Sequence, residues 1–139
     1  MDDLDYKVLK VLYRNEPMKI GKIANKLRKP HSTLGSCVKR LEEEGYVIYE
    51  RYQPVTLTEN GKNLAIELNR HARLLEFLLY KELGLKPAEA HEESEKFNLL
   101  FSCNTINKIC KKYEHPKQCP CGDIISNSSD CCCEKDHLS

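Results

Sequence analysis

Long apolar runs are absent from this 139-residue chain. No stretch approaches the roughly 20 apolar residues that a membrane-spanning helix requires. The opening residues, MDDLDYKVLK, carry acids where a signal peptide has basic residues, and they lack its apolar centre. We therefore expect a cytoplasmic protein with no membrane partner.

Acidic residues are missing from Pro17 to Leu41, although the formal net charge of the whole chain is only +1. The basic residues of this stretch are Lys19, Lys22, Lys26, Arg28, Lys29, Lys39 and Arg40. Such local clustering favours a nucleic-acid surface, and the competing interpretation is a solvated basic face. No nucleophile–base pair or phosphate-binding loop is evident, so the chain is not expected to be an enzyme.

Cysteine is nearly absent from the first hundred residues, where only Cys37 occurs, yet five of the eight cysteines lie between Cys119 and Cys133. In a reducing cytoplasm these residues are expected to be thiols, metal ligands or redox sensors rather than disulfides. Cys37 and Cys110 are expected to be small core residues.

Apolar residues recur at helical spacing in three short stretches, which are followed by two β-rich stretches around a YQP turn. The predicted elements are helix one at 4–13, helix two at 19–28, helix three from Pro30 to Gly45, and hairpin strands at 46–51 and 54–58. Three helices followed by a hairpin is the order of a winged helix.

A long helix is predicted from an N-cap at Thr58 to about Glu82, and two shorter helices follow it. The apolar residues Leu75, Phe77, Leu78, Leu79, Phe97, Leu100 and Phe101 exceed what one small domain buries, so we expect a homodimer through residues 64–113. After Tyr113 the chain shows no periodicity with which to bury a core. The expected fold is mainly α with a β-hairpin wing, divided into a DNA-binding domain (1–60), a helical dimerisation and metal-binding domain (61–114) and a cysteine-rich tail (115–139).

Helix three presents short polar side chains followed by basic ones on its outward face, as a helix that enters a major groove requires. Arg51 on the wing is a candidate for backbone contact, together with Tyr52 and Gln53. The predicted DNA-binding residues are His31, Ser32, Thr33, Ser36, Lys39, Arg40 and Arg51.

The stretch IGKIANKLRKPHSTLGSCVKRLEEEGYVIYERYQPVTLTENGKNLA, followed by RHARLLEFLLYKELGL and AHEESEK, resembles the diphtheria toxin repressor and manganese transport regulator family of metal-dependent repressors. GYVIYERYQPVTLTENGK is its most specific part. The resemblance spans residues 4–115. It implies a homodimer in which divalent metal governs binding to double-stranded operator DNA.

Five positions match the family's metal ligands: Asp5, His71, Glu76, His91 and Glu95. His71 and Glu76 are five residues apart rather than four, so the two side chains are not expected to share one helix face. Where the family has Glu followed by His, this chain has Asn98 and Leu99. The usual primary site is therefore incomplete, because leucine cannot bind a metal and asparagine is a weak ligand.

The terminal cysteines form a second candidate metal site, composed of Cys119, Cys121, Cys131, Cys132 and Cys133. Thiolates favour soft or borderline ions, so Zn²⁺ or an iron–sulfur cluster could be held there, and free thiols are the alternative. HPKQCPCGDII also resembles the family's segment after its last dimerisation helix.

The sequence thus predicts a transcriptional regulator, a repressor, that responds to Fe²⁺ or Mn²⁺. One alternative is a regulator that senses iron–sulfur status, redox state or a thiophilic metal through its tail. Another is a cytosolic metal buffer, which would explain the cysteines but not the acid-free helix-turn-helix.

Overall fold

The computed structural model describes residues 2–15, 17–96, 102–120, 122 and 125. Within them the elements are α1 (Asp3–Asn15), α2 (Ile20–Leu27), α3 (His31–Glu43), β1 (Val47–Ile48), β2 (Thr56–Leu57), α4 (Glu59–Leu83), α5 (Pro87–Glu95) and α6 (Cys103–Lys112). The chain divides into two compact units, Met1–Ile66 and Glu67–Ser139, so the boundary falls inside α4.

The first unit is a three-helix core with a hairpin. Each helix buries the apolar stripe that its spacing predicts, which confirms the three predicted helices. The fully buried side chains are Val8, Leu9 and Leu12 of α1, Ile23 of α2, and Leu34, Cys37, Val38 and Leu41 of α3.

The wing is an antiparallel pair in which Val47 lies opposite Leu57 and Ile48 opposite Thr56. Its strands are only two residues long, shorter than predicted, although an isolated bridge from Val55 to Met18 extends the pairing. The hairpin prediction is confirmed, and with α1–α3 it forms the predicted winged helix.

The wing and α4 meet in a tight turn. The Thr58 hydroxyl accepts a hydrogen bond from the Gly61 N–H at 3.1 Å and donates one to the Gly45 carbonyl at 2.6 Å, which confirms Thr58 as the N-cap. A Cβ on Gly61 would lie 2.0 Å from the Tyr46 carbonyl oxygen. Only glycine fits here, because the obstacle is backbone rather than a flexible side chain.

Gly61→Ala is accordingly expected to lower the free energy of unfolding by about 1–3 kcal/mol, since the wing or α4 must shift to admit the methyl group. Gly35→Ala is the matched control. No atom lies within 4 Å of a Cβ at Gly35 in α3, so alanine there should stabilise by up to about 1 kcal/mol. Urea denaturation of both variants measures this, and equal effects of the two substitutions would contradict the packing argument.

The second unit contains a buried cluster formed by Leu74, Ile106, Cys110, Cys119 and Ile125. The expectation that the chain after Tyr113 contributes nothing to a core is therefore wrong for Cys119 and Ile125. Isolated apolar residues in irregular backbone have no periodicity that would reveal their burial.

Part of the predicted dimer surface lies on α4, where Leu75, Phe77, Leu78 and Leu79 are all half-buried in the single chain. Phe97, Leu100 and Phe101 lie outside the described residues. Within the described part of the chain, no helix is both long and apolar enough to cross a membrane.

Candidate DNA-binding surface and metal-binding residues

The outward face of α3 is exposed, as the sequence predicts. Its inward face packs into the core of the first unit, and this burial fixes which side chains point outward. The exposed side chains are His31, Ser32, Thr33, Ser36, Lys39 and Arg40. Short side chains at the beginning of the helix leave room for a close approach to base edges.

A cavity of about 810 Å³ opens between the wing and the beginning of α2. Three basic residues, Lys19, Lys22 and Arg51, line it together with His31, and no acidic residue does. Its lining is Pro17, Lys19, Ile20, Gly21, Lys22, His31, Tyr49, Arg51, Tyr52 and Gln53. At the wing tip Tyr52 is 75% exposed, with φ of +66°, and the Arg51 guanidinium lies 5.0 Å from its ring centroid. A concave basic surface with an exposed aromatic ring is suited to a nucleic-acid backbone.

Arg40 is tied to α1. Its Nη2 donates to Oδ1 of Asp5 at 2.9 Å, and it lies 3.6 Å from Oδ2 of Asp2. The Cys37 thiol donates to the same Asp5 oxygen at 2.9 Å. The predicted metal ligand Asp5 is thus a buried acceptor that joins α1 to α3. The role of Arg40 in DNA binding stays a prediction.

The protonation states in this cluster follow from burial and pairing. Burial alone would raise the pKa of Asp5, but hydrogen bonds from Cys37, the Asp2 backbone and Arg40, together with the Arg40 charge, hold that pKa below its ordinary value. Burial and the neighbouring carboxylate raise the pKa of Cys37 to about 12. Asp5 is therefore ionised at neutral pH, and Cys37 is a thiol rather than a nucleophilic thiolate.

The other four predicted ligands from the family resemblance belong to the second unit, where two histidine–carboxylate pairs form. His91 Nδ1 on α5 lies 2.8 Å from Oε1 of the fully buried Glu76 on α4. His71 Nε2 lies 2.9 Å from Oε1 of Glu67, one turn earlier on α4. As the five-residue spacing indicates, His71 and Glu76 bind different partners.

Glu95, the last of these positions, pairs with an arginine. Oε1 of Glu95 on α5 accepts a hydrogen bond from Nη2 of Arg73 on α4. Arg73 is buried, with 1% of its side chain exposed. Burial alone would lower the pKa of Arg73, but the charges of Glu95 and Glu76 and the hydrogen bond to Glu95 raise it, so the guanidinium stays charged.

The two pairs offer imidazole nitrogen and carboxylate oxygen, which suit iron, manganese or zinc. Within the described residues, however, no three His, Cys, Asp or Glu side chains are placed to hold an ion together. The described donors therefore do not form a complete metal site. Asn98, Leu99, Cys121, Cys131, Cys132 and Cys133 lie outside the described residues, and the assignment of these four cysteines as ligands stays a prediction.

Three features of the second unit were missed by sequence reasoning. Glu67 stands four residues before His71, a spacing that could have revealed the pair. Arg73 follows Arg70, His71 and Ala72, and nothing in that stretch of sequence indicates that it is buried or which carboxylate it contacts. His115, whose Nδ1 lies 3.3 Å from the Cys110 thiol, gave no such signal.

Two family descriptions match the chain. Residues 1–48 match a winged helix-turn-helix DNA-binding family. Residues 58–127 match the family described as iron dependent repressor, metal binding and dimerisation domain. The chain belongs to the iron-dependent repressor family. This membership confirms the resemblance to the diphtheria toxin repressor and manganese transport regulator group.

Relatives within the iron-dependent repressor family include the iron-dependent repressor IdeR of Mycobacterium tuberculosis, which is 31% identical over 105 residues, covering 76% of this chain and 46% of that protein. The regulator MntR of Listeria monocytogenes is 28% identical over 110 residues, covering 78% of this chain and 76% of the relative. The chain thus spans about half the length of the IdeR proteins that it matches.

A solved structure of a manganese-dependent transcriptional repressor in complex with manganese has the same fold. It superposes with a TM-score of 0.78 at 29% identity, covering 88% of this chain and 58% of that one. The fold prediction of a winged helix followed by a helical domain of this family is therefore confirmed.

Proposed function

We propose that this protein is a homodimeric transcriptional repressor that binds double-stranded operator DNA in the cytoplasm. The observation that carries the proposal is the exposed face of α3, which has no acidic residue from His31 to Leu41, beside the basic cavity of the wing. In this proposal Ser32, Thr33 and Ser36 approach base edges, while Lys39 and Arg51 neutralise phosphates.

Contacts within the first unit hold this surface in place in the absence of DNA. Leu34 and Val38 anchor α3 in the core, and Asp5 holds Arg40 and Cys37, so α3 is fixed against α1 before DNA arrives. A recognition helix that is already ordered does not lose conformational entropy on binding, and its affinity is correspondingly higher.

The proposed effector is a divalent transition metal, Fe²⁺ or Mn²⁺. Its support is family membership together with the two histidine–carboxylate pairs, Glu76 with His91 and Glu67 with His71. An ion bound there would supply positive charge to carboxylates of the second unit. The relatives and the structural neighbour are named for iron or manganese, which favours a divalent ion over an iron–sulfur cluster.

Lys39→Ala is expected to weaken binding to all DNA sequences and to lower the slope of log K against log salt concentration by about one, because one phosphate contact is lost. Lys7→Ala is the control, since Lys7 lies outside the acid-free stretch and is already paired with Asp3 at 3.1 Å. Fluorescence anisotropy over a salt series gives both slopes. An unchanged slope in Lys39→Ala would remove that residue from the interface.

His91→Gln is expected to raise the Mn²⁺ concentration needed for half-maximal operator binding by about tenfold or more, since even residues that only orient metal ligands have effects of that size. Glu92→Gln on the same helix is the control, because Glu92 is exposed. The titration uses operator DNA selected with the full chain. Operator affinity that is the same in EDTA and in Mn²⁺ would refute the proposed effector while leaving the DNA-binding proposal standing.

A further inference from the structure

Two links join α4 to α5 within the second unit. Glu76 of α4 contacts His91 of α5, and Arg73 of α4 is paired with Glu95 of α5. Arg73 and Glu76 are three residues apart and therefore lie on the same side of α4. The guanidinium thus lies in an acidic environment to which both helices contribute.

The carboxylates of Glu76 and Glu95 are stable in such a poorly solvated place only beside a positive charge. Glu76 has no exposed surface, and 24% of the Glu95 side chain is exposed, so water compensates their negative charges only in part. A divalent ion is one possible source of positive charge, and a buried arginine is another. Arg73 is buried against Glu95, and a guanidinium is always charged in a protein, so its contribution does not depend on metal supply.

We propose that Arg73 takes the place of a metal ion at Glu95, so that α4 and α5 are joined there by a fixed guanidinium and Glu95 is not a metal ligand. The sequence agrees, because Asn98 and Leu99 cannot complete an ion site with Glu95. The inference rests on the proposed function only in removing Glu95 from the ligands that the family resemblance implies. The Arg73–Glu95 link itself does not depend on the chain being a metal sensor.

The first test counts bound Mn²⁺ per subunit on the full chain, using the electron paramagnetic resonance signal of free Mn²⁺. Mn²⁺ prefers oxygen and nitrogen ligands, so the terminal cysteines should not contribute to the count. Wild type and Glu95→Gln are expected to bind the same number of ions, because removing a residue that is not a ligand removes no ion site. Loss of one ion in Glu95→Gln would overturn the proposal.

The second test measures thermal unfolding in EDTA. Arg73→Met and Glu95→Gln are each expected to lower the Tm by more than about 5 °C, because each removes the opposite charge that its partner contacts. The Tm of the double variant Arg73→Met/Glu95→Gln should fall by much less than the sum of the two single shifts. If the Tm shifts of the two single variants simply add in EDTA, a metal-free link between Arg73 and Glu95 is contradicted. It is also contradicted if the shifts are non-additive in EDTA but become additive when Mn²⁺ is added.

The two tests separate this proposal from the proposed function. If wild type binds no Mn²⁺, the effector proposal fails, and the coupling in EDTA still decides the role of Arg73. If a single variant does not fold, the double variant replaces it in the Mn²⁺ count. The double variant is then expected to bind as many Mn²⁺ ions per subunit as wild type. One ion fewer would refute the inference.

Discussion

A chain shortened to end at Tyr113 is expected to lose roughly 2–5 kcal/mol of the free energy of unfolding of the second unit, relative to a chain that ends at Ser126. The reason is the burial of Cys119 and Ile125, which are 4% and 6% exposed in the cluster with Leu74. Their removal exposes apolar surface on α4 and α6 to water. Guanidinium denaturation of both shortened chains measures the difference.

The point variant Ile125→Ala separates loss of packing from loss of chain length. This substitution alone should lower the free energy of unfolding by about 2–5 kcal/mol. Lys111→Ala, at an exposed position of α6, should change it by less than about 0.5 kcal/mol. Equal midpoints for the chains ending at Tyr113 and Ser126 would contradict the core assignment. If the expected loss is found, removal of the tail is not a clean test of metal sensing, because it also unfolds part of the second unit.

Asp5→Ala is expected to lower the free energy of unfolding of the first unit by about 2–3 kcal/mol at pH 7, since Cys37 and Arg40 lose a charged acceptor that is almost fully buried. The effect depends on pH in a defined direction. Because the folded pKa of Asp5 lies below its unfolded value of about 3.9, its contribution is fully present above that value and is lost as the pH falls through the folded pKa.

Urea denaturation at pH 7, and again below the folded pKa of Asp5, checks the magnitude and the sign together. Asp3→Ala is the control within the same helical turn, because Asp3 forms an exposed ion pair with Lys7 that is worth less than about 1 kcal/mol. The loss caused by Asp5→Ala should shrink in acid. A loss of the same size at both pH values, or an equal loss in Asp3→Ala at pH 7, would show that the buried Asp5 carboxylate does not carry the effect.

The local elements could be predicted from the sequence, because their signals are local. The apolar spacing of Leu34, Val38 and Leu41 determines which face of α3 is buried, and the threonine–glycine pair at 58 and 61 marks the beginning of α4. These features depend on residues a few positions apart, which is the range that periodicity and capping rules describe.

The partners of the ionisable side chains could not be predicted in the same way. Arg73 meets Glu95 and Arg40 meets Asp5 across separate helices, and those contacts depend on how each helix is rotated and packed. The resemblance considered His71 together with Glu76, and His91 together with Glu95, whereas the structure places His91 Nδ1 2.8 Å from Glu76 Oε1. It gave no indication that arginine would occupy the neighbouring position beside Glu95.

The central claim is that α3 of this repressor-family chain reads a specific operator, and selection from random duplex DNA with the full chain and Mn²⁺ tests it most directly. The prediction is enrichment of one inverted repeat, bound at least about 10³-fold more tightly than unrelated DNA, and loss of that preference when Ser32, Thr33 and Ser36 are all replaced by alanine. No enriched sequence, or the same sequence enriched by the triple variant, would contradict the account.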